Sequence, residues 1–143
     1  MSYNAAYAVL EKEEGRLVEL AQKMWDCPET AYNEVNACKW TAELLKEYGF
    51  EVETGYVGLP TAIKATWGSG HPVIGILGEY DALPGMSQKV CPVKDPVELG
   101  APGQGCGHNL LGVASLGAVI GIKAELEAKK LSGTVVYLSL IHI

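Results

Sequence analysis

Pro72-Val73-Ile74-Gly75-Ile76-Leu77, a long segment without periodicity from Gly78 to about His108, an apolar run from Leu110 to Ile122, and then Thr134-Val135-Val136-Tyr137-Leu138: this succession decides the fold. The first run is bounded by turn residues and too short for a helix, so it reads as a strand. Being nearly all apolar, it is expected to be a central strand covered on both faces. Leu110, Leu111, Val113, Ala114, Leu116, Ala118, Val119, Ile120 and Ile122 make a helix apolar almost all round, which must be buried. Ser132-Gly133 ends it and the second strand follows. Strand, helix, strand is a crossover unit, so the two strands are expected to be parallel and joined right-handedly.

Working outward, Ala62-Ile63-Lys64-Ala65-Thr66-Trp67 is a further strand, and Gly68-Ser69-Gly70-His71 before Pro72 reads as a hairpin connection. Phe50-Glu51-Val52-Glu53-Thr54 alternates with period two and carries charge on one face, the pattern of an edge strand. Two amphipathic helices precede it, from Asn4 to Trp25 and from Asn33 or Glu34 to Tyr48, with Gly49 as the C-terminal cap of the second. The fold class is therefore α/β with a mixed sheet.

With 143 residues, 48% of them hydrophobic, the chain is long enough for one core and too short for two ordinary domains. A net charge of -6, from 17 acidic and 11 basic residues with no basic run, argues against a nucleic-acid or anionic-membrane partner and leaves small substrates open. Met1 to Leu10 lacks a basic start and runs into Glu11-Lys12-Glu13-Glu14, a run expected to be a solvated helix face, so no signal peptide is expected. No uninterrupted apolar stretch reaches the roughly 18 residues of a membrane span. A cytoplasmic protein is expected, and Cys27, Cys38, Cys91 and Cys106 show no disulfide framework.

The aperiodic segment opens on Glu79-Tyr80-Asp81-Ala82-Leu83-Pro84 and closes on Gly105-Cys106-Gly107-His108-Asn109. Unstructured segments of this length in a compact domain carry function, and this one leaves a strand at its carboxyl end, where α/β sheets bind ligands. Cys106 and His108 precede the buried helix, with Asn109 as its N-cap, and the helix amides and dipole favour a thiolate there. Thiolate and imidazole suit zinc and tolerate manganese or cobalt, given further ligands. Glu79 and Asp81, two apart on an extended segment, point to one side and can supply them. A Cys-x-His pair alone is more often a buried thiol beside a loop histidine; the glycine-rich segment at a strand-to-helix crevice and the two carboxylates on the same loop reverse that and favour a metal site.

Two rival motifs fail on residues. Gly103-Gln104-Gly105-Cys106-Gly107-His108 has His where a dinucleotide loop needs its third glycine. A nucleophile elbow on Cys106 wants small residues where Gln104 and His108 stand. His71 is a turn residue, and Trp25, Trp40 and Trp67 are core or lining residues.

Gly75-Ile76-Leu77-Gly78-Glu79-Tyr80-Asp81-Ala82-Leu83-Pro84-Gly85 followed by Gly105-Cys106-Gly107-His108-Asn109-Leu110-Leu111-Gly112 resembles the aminoacylase and carboxypeptidase family of dinuclear metallohydrolases, in an amidohydrolase branch. The resemblance implies a three-layer mixed-sheet catalytic domain of which residues 1–143 are the N-terminal part, with an inserted dimerisation domain lying outside them. It implies hydrolysis of an amide bond to an amino acid in a small substrate of N-acyl amino acid or p-aminobenzoyl-glutamate type. It also implies two metal ions, zinc or manganese, and a homodimer or hetero-oligomer. Carried over by residue, Cys106 and His108 stand as metal ligands, Asp81 as the aspartate that orients a ligand, and Glu79 where many relatives have a ligand histidine. The family's glutamate base follows the strand at Gly133 to Leu138, where this chain reads Ser139-Leu140-Ile141-His142-Ile143. The base is therefore expected outside this chain, and His142 is no substitute for the missing ligands.

Two alternatives stay open: an inactive fragment or binding module, and a thiol hydrolase using Cys106. The strand at 134–140 is expected to present an open edge where further strands would pair.

Overall fold

A computed structural model describes residues 2–139. The chain forms α1 (Asn4–Asp26), α2 (Val35–Glu47), β1 (Glu51–Thr54), a single 3-10 turn, β2 (Ile63–Ser69), β3 (Val73–Gly78), α3 (His108–Lys129) and β4 (Gly133–Ser139). Every element expected from the periodicity is present, with ends within a few residues.

The four strands make one mixed sheet in the order β1-β2-β4-β3. β1 pairs antiparallel with β2, β2 antiparallel with β4, and β3 parallel with β4. The parallel pair across α3 is as expected. The hairpin is not: β4 lies between β2 and β3, so the glycine-rich connection spans a neighbouring strand instead of turning back beside its own. The Pro72 carbonyl accepts from Thr134 N at 2.9 Å and the Thr134 hydroxyl donates to Gly70 O at 2.8 Å, so the connection wraps over the start of β4. A Cβ on Gly68, whose φ is +86°, would lie 2.3 Å from Gly133 O, so glycine is required there by close passage as well as by the turn.

Two expectations are corrected with it. β3 is not central: among the described residues it is an edge strand, with Val73, Ile74 and Leu77 56%, 44% and 61% exposed. β4 is not an open edge but is paired on both sides. Its residue 140 lies outside the described residues, as does His142. An exposed apolar edge templates strand pairing, so the purified chain is expected to self-associate through β3. Leu77→Lys should lower the associated fraction in light scattering, and a wild-type chain that stays monomeric at every concentration would count against this.

One core joins the helices to one face of the sheet. Ile63, Ala65, Val135 and Tyr137 meet Leu45 of α2 and Leu116, Val119 and Ile120 of α3, and all are nearly or fully buried. Burial alternates strictly along β4, leaving Thr134, Val136 and Leu138 half-buried on the opposite face. The described residues thus supply the sheet and one helical layer of the expected three. α3 is, by its 22 residues and its composition, long and apolar enough to cross a membrane, although no uninterrupted apolar run within it has that length. Its burial against α1 and the sheet accounts for that composition. It is not buried all round, however: Leu110 and Leu111 are 64% and 47% exposed, and Ala114 and Ala118 continue the same outward stripe.

Candidate metal centre

The aperiodic segment folds back on itself. Leu83 and Gly103 exchange backbone hydrogen bonds at 2.9 and 3.0 Å, Ser87 N donates to Ala101 O at 3.0 Å, and a Lys89–Asp95 ion pair closes the tip. Residues 84–102 are therefore an excursion, and the segments 79–83 and 103–108 lie side by side. The turn after α1 braces them from the other flank. Ala82 N donates to Glu29 O at 2.7 Å, while the Glu29 carboxylate accepts from Asn36 N and Ala37 N and satisfies the first amides of α2.

His108 is the first residue of α3, behind Gly107, whose φ of +74° makes the sharp entry. Its Nδ1 lies 2.7 Å from Asp81 Oδ1 and its Nε2 lies 3.1 Å from Glu79 Oε2. Asp81 is 2% exposed and His108 8%, whereas the Glu79 side chain is 37% exposed. The Asp81 contact at Nδ1 fixes the ring so that Nε2 faces Glu79. Donor atoms of Glu79, Asp81 and His108 all lie within 4.8 Å of one another. An imidazole nitrogen beside carboxylate oxygens is a donor set that zinc and manganese accept.

Of the four residues singled out from the sequence, the fold thus gathers three. Cys106 is exposed in the turn just before α3 and is not in that group. Asn109 does not cap the helix. It is buried within the first turn, and its side-chain amide donates to Ala21 O of α1 at 3.1 Å, fixing one helix on the other.

Sequence periodicity was silent on a polar layer behind the site. Glu34, fully buried, accepts from Thr61 Oγ1 at 2.7 Å and from Tyr32 N at 2.9 Å. The Tyr80 hydroxyl, between the two site carboxylates in sequence, donates to Thr61 O. Burial raises the Glu34 carboxyl above the usual carboxylate range, with the charge of Asp81 adding to the rise against its hydrogen bonds. A raised folded-state value means the native state holds the proton more tightly than the unfolded chain. Stability contributed by this group is therefore full below the unfolded value of 4.5 and is lost as pH rises through the folded value. Glu19 and Glu125, lowered by hydrogen bonds from Lys23 and Lys129, act oppositely and only at more acid pH. Urea denaturation of Glu34→Gln should lack the fall in stability above pH 4.5 that is expected of the wild type; parallel pH profiles would refute the assignment.

Fold and relatives together define the class, an α/β domain built on a mixed sheet of the kind found in hydrolases. No family model matches the chain. It is 42% identical over 127 residues to one of the subunits of the p-aminobenzoyl-glutamate hydrolase of Escherichia coli, an alignment covering 88% of this chain and 26% of that protein. Among solved structures it resembles an aminohydrolase from methicillin-resistant Staphylococcus aureus, at TM-score 0.76 and 28% identity over 96% of this chain and 34% of that one. A dinuclear metal-binding peptidase of Bacillus subtilis from family M-twenty aligns at TM-score 0.68 and 26% identity, over 90% and 35%. In sequence and fold the chain is thus similar to the aminoacylase and carboxypeptidase group of metallohydrolases that the paired motifs resemble. It spans about a quarter of the length of the curated relatives it matches.

Proposed function

We propose that the chain is the N-terminal portion of the catalytic domain of a metal-dependent amidohydrolase, which cleaves the amide bond to an amino acid in a small N-acyl amino acid or p-aminobenzoyl-glutamate type substrate. One observation carries this reading. Asp81 engages His108 Nδ1, so that Nε2 faces the Glu79 carboxylate at the carboxyl end of a strand. His108 and Glu79 would hold the metal, with Cys106 joining them from the adjoining turn, and Asp81 orients the imidazole. A zinc or manganese ion bound there, one of two in the full-length protein, would supply Lewis-acid activation of water and of the amide carbonyl. Asp81, nearly unexposed, keeps the imidazole in one tautomer, and Glu79, open to solvent on one side, lies where a substrate can approach. The glutamate base and further ligands belong to sequence beyond this chain. In this reading the full-length protein acts in the cytoplasm as a homodimer or hetero-oligomer.

A second reading, that these 143 residues alone are catalytically inactive and act as a fragment or binding module, is favoured by their covering only 26% of the aligned Escherichia coli hydrolase chain. Metal content and amide hydrolysis, measured on this chain beside a version extended to the relatives' length, test both readings. Metal in both and chelator-sensitive turnover in the extended chain alone is expected. Turnover that survives chelation would instead favour a Cys106 thiol mechanism.

A further inference from the structure

Gln104 connects the two halves of the candidate centre. Its side chain is buried, at 7% exposure, on the returning segment next to Gly103. At one end Nε2 donates to the carbonyl of Tyr80, the residue between Glu79 and Asp81, at 3.4 Å. At the other, Oε1 accepts from the backbone N–H of Asn109, the residue after His108, at 3.2 Å. That N–H is one of the first amides of α3, which lack partners within the helix, and Gly107 at the N-cap offers no side chain to satisfy them. A primary amide donates at one end and accepts at the other; a carboxylate only accepts, and a thioether contributes almost nothing.

The span it bridges is otherwise loosely defined by the chain. Between the two segments runs the excursion of residues 84–102, whose Val90 and Leu99 are 93% and 89% exposed. The Leu83–Gly103 backbone pair closes the excursion at its base but touches neither His108 nor its carboxylates. Beside the contacts of His108 with Asp81 and Glu79, the Gln104 amide ties the carboxylate segment to the start of α3 through the backbone of both.

We propose that Gln104 is a positioning residue, whose amide sets the separation between the Glu79–Asp81 carboxylates and the His108 imidazole and thereby the affinity of the centre for a divalent cation. The inference rests on the metal reading of the site. It is tested by titrating the 143-residue chain with cobalt(II), following the visible absorption of the bound ion, with zinc competition for affinity. Loss of an orienting contact behind a ligand weakens metal binding about 10–100-fold, and Gln104→Met is expected to do so and to shift the cobalt bands. Gln104→Glu, which keeps the acceptor for Asn109 N and loses the donor to Tyr80 O, should fall between wild type and Gln104→Met. Thr134→Val, which removes a 2.8 Å hydrogen bond to Gly70 O at the start of β4, at the opposite end of the strands from Glu79, controls for stability; it should lower the unfolding midpoint and leave affinity and spectrum unchanged.

Wild-type affinity in Gln104→Met would overturn the proposal, as would an equal loss of affinity in Thr134→Val. If Gln104→Met does not fold, Gln104→Glu decides: affinity below wild type supports the tie and unchanged affinity refutes it. A wild-type chain that takes up no cobalt removes the metal reading and this inference together, whereas uptake by wild type with no change in the variants removes this inference alone.

Discussion

His108→Ala abolishes metal uptake by this chain and, in a version extended to the length of the relatives, abolishes amide hydrolysis. The expectation follows from the position of the imidazole. It is the group both site carboxylates reach, Asp81 at Nδ1 and Glu79 at Nε2, and removing it leaves no nitrogen donor in the trio. The fold should survive, because His108 opens α3 at its N-terminus while the core contacts of that helix lie further along, at Leu116, Val119 and Ile120. Some stability is still lost, since a buried polar group deprived of its partner costs about 1–3 kcal/mol. Asp81→Asn separates orientation from ligation: the donor nitrogen stays, but the anion holding Nδ1–H is gone, and metal affinity should fall about 10–100-fold. Cys106→Ala measures whether the exposed thiol joins the centre; weaker metal binding is expected. The measurements are metal stoichiometry, a competition titration and, on the extended chain, initial rates. Full metal occupancy in His108→Ala would remove the site assignment.

Gly112→Ala is expected to disable the same centre without touching a donor. Gly112 closes the second motif, and a Cβ there would stand 2.4 Å from the backbone oxygen of Glu79 and 3.6 Å from Tyr80 Cβ. The near contact is main chain, which cannot rotate away as a side chain would, so α3 and the strand end must part. Overpacking of this kind costs about 1–3 kcal/mol, and the parting acts directly between His108 and the carboxylates it faces. Metal affinity should therefore fall together with the unfolding midpoint. Gly15→Ala is the control, on an exposed position of α1 with nothing within 4 Å of the added carbon. Removing a glycine from an exposed helix interior should stabilise by up to about 1 kcal/mol and leave metal binding as it was. Unchanged affinity in Gly112→Ala would show that the helix and strand end need no backbone contact to hold the site.

Residue pattern alone specifies the local elements, the α/β class, the parallel crossover around α3 and the two ends of the loop that meet at the site. Alternation and helical spacing report which side of a segment is buried, and a strand end followed by a helix start is where the backbone leaves amides and carboxylates together. Glu79, Asp81 and His108 were legible because their residue types at that place exceed what composition requires. The tertiary structure alone decided the strand order. Gly68-Ser69-Gly70-His71 satisfies a hairpin as well as a passage over β4, since both need positive φ and no side chain, and only the long-range pairing of β4 with β2 and β3 distinguishes them. That pairing turned an apolar strand from centre to edge. Likewise Asn109, Gln104 and Glu34 carry no periodic signal: their partners, Ala21, Tyr80 and Thr61, are far away in sequence. A polar side chain inside a fold is placed by the groups it must satisfy there, and those groups become neighbours only once the chain has folded.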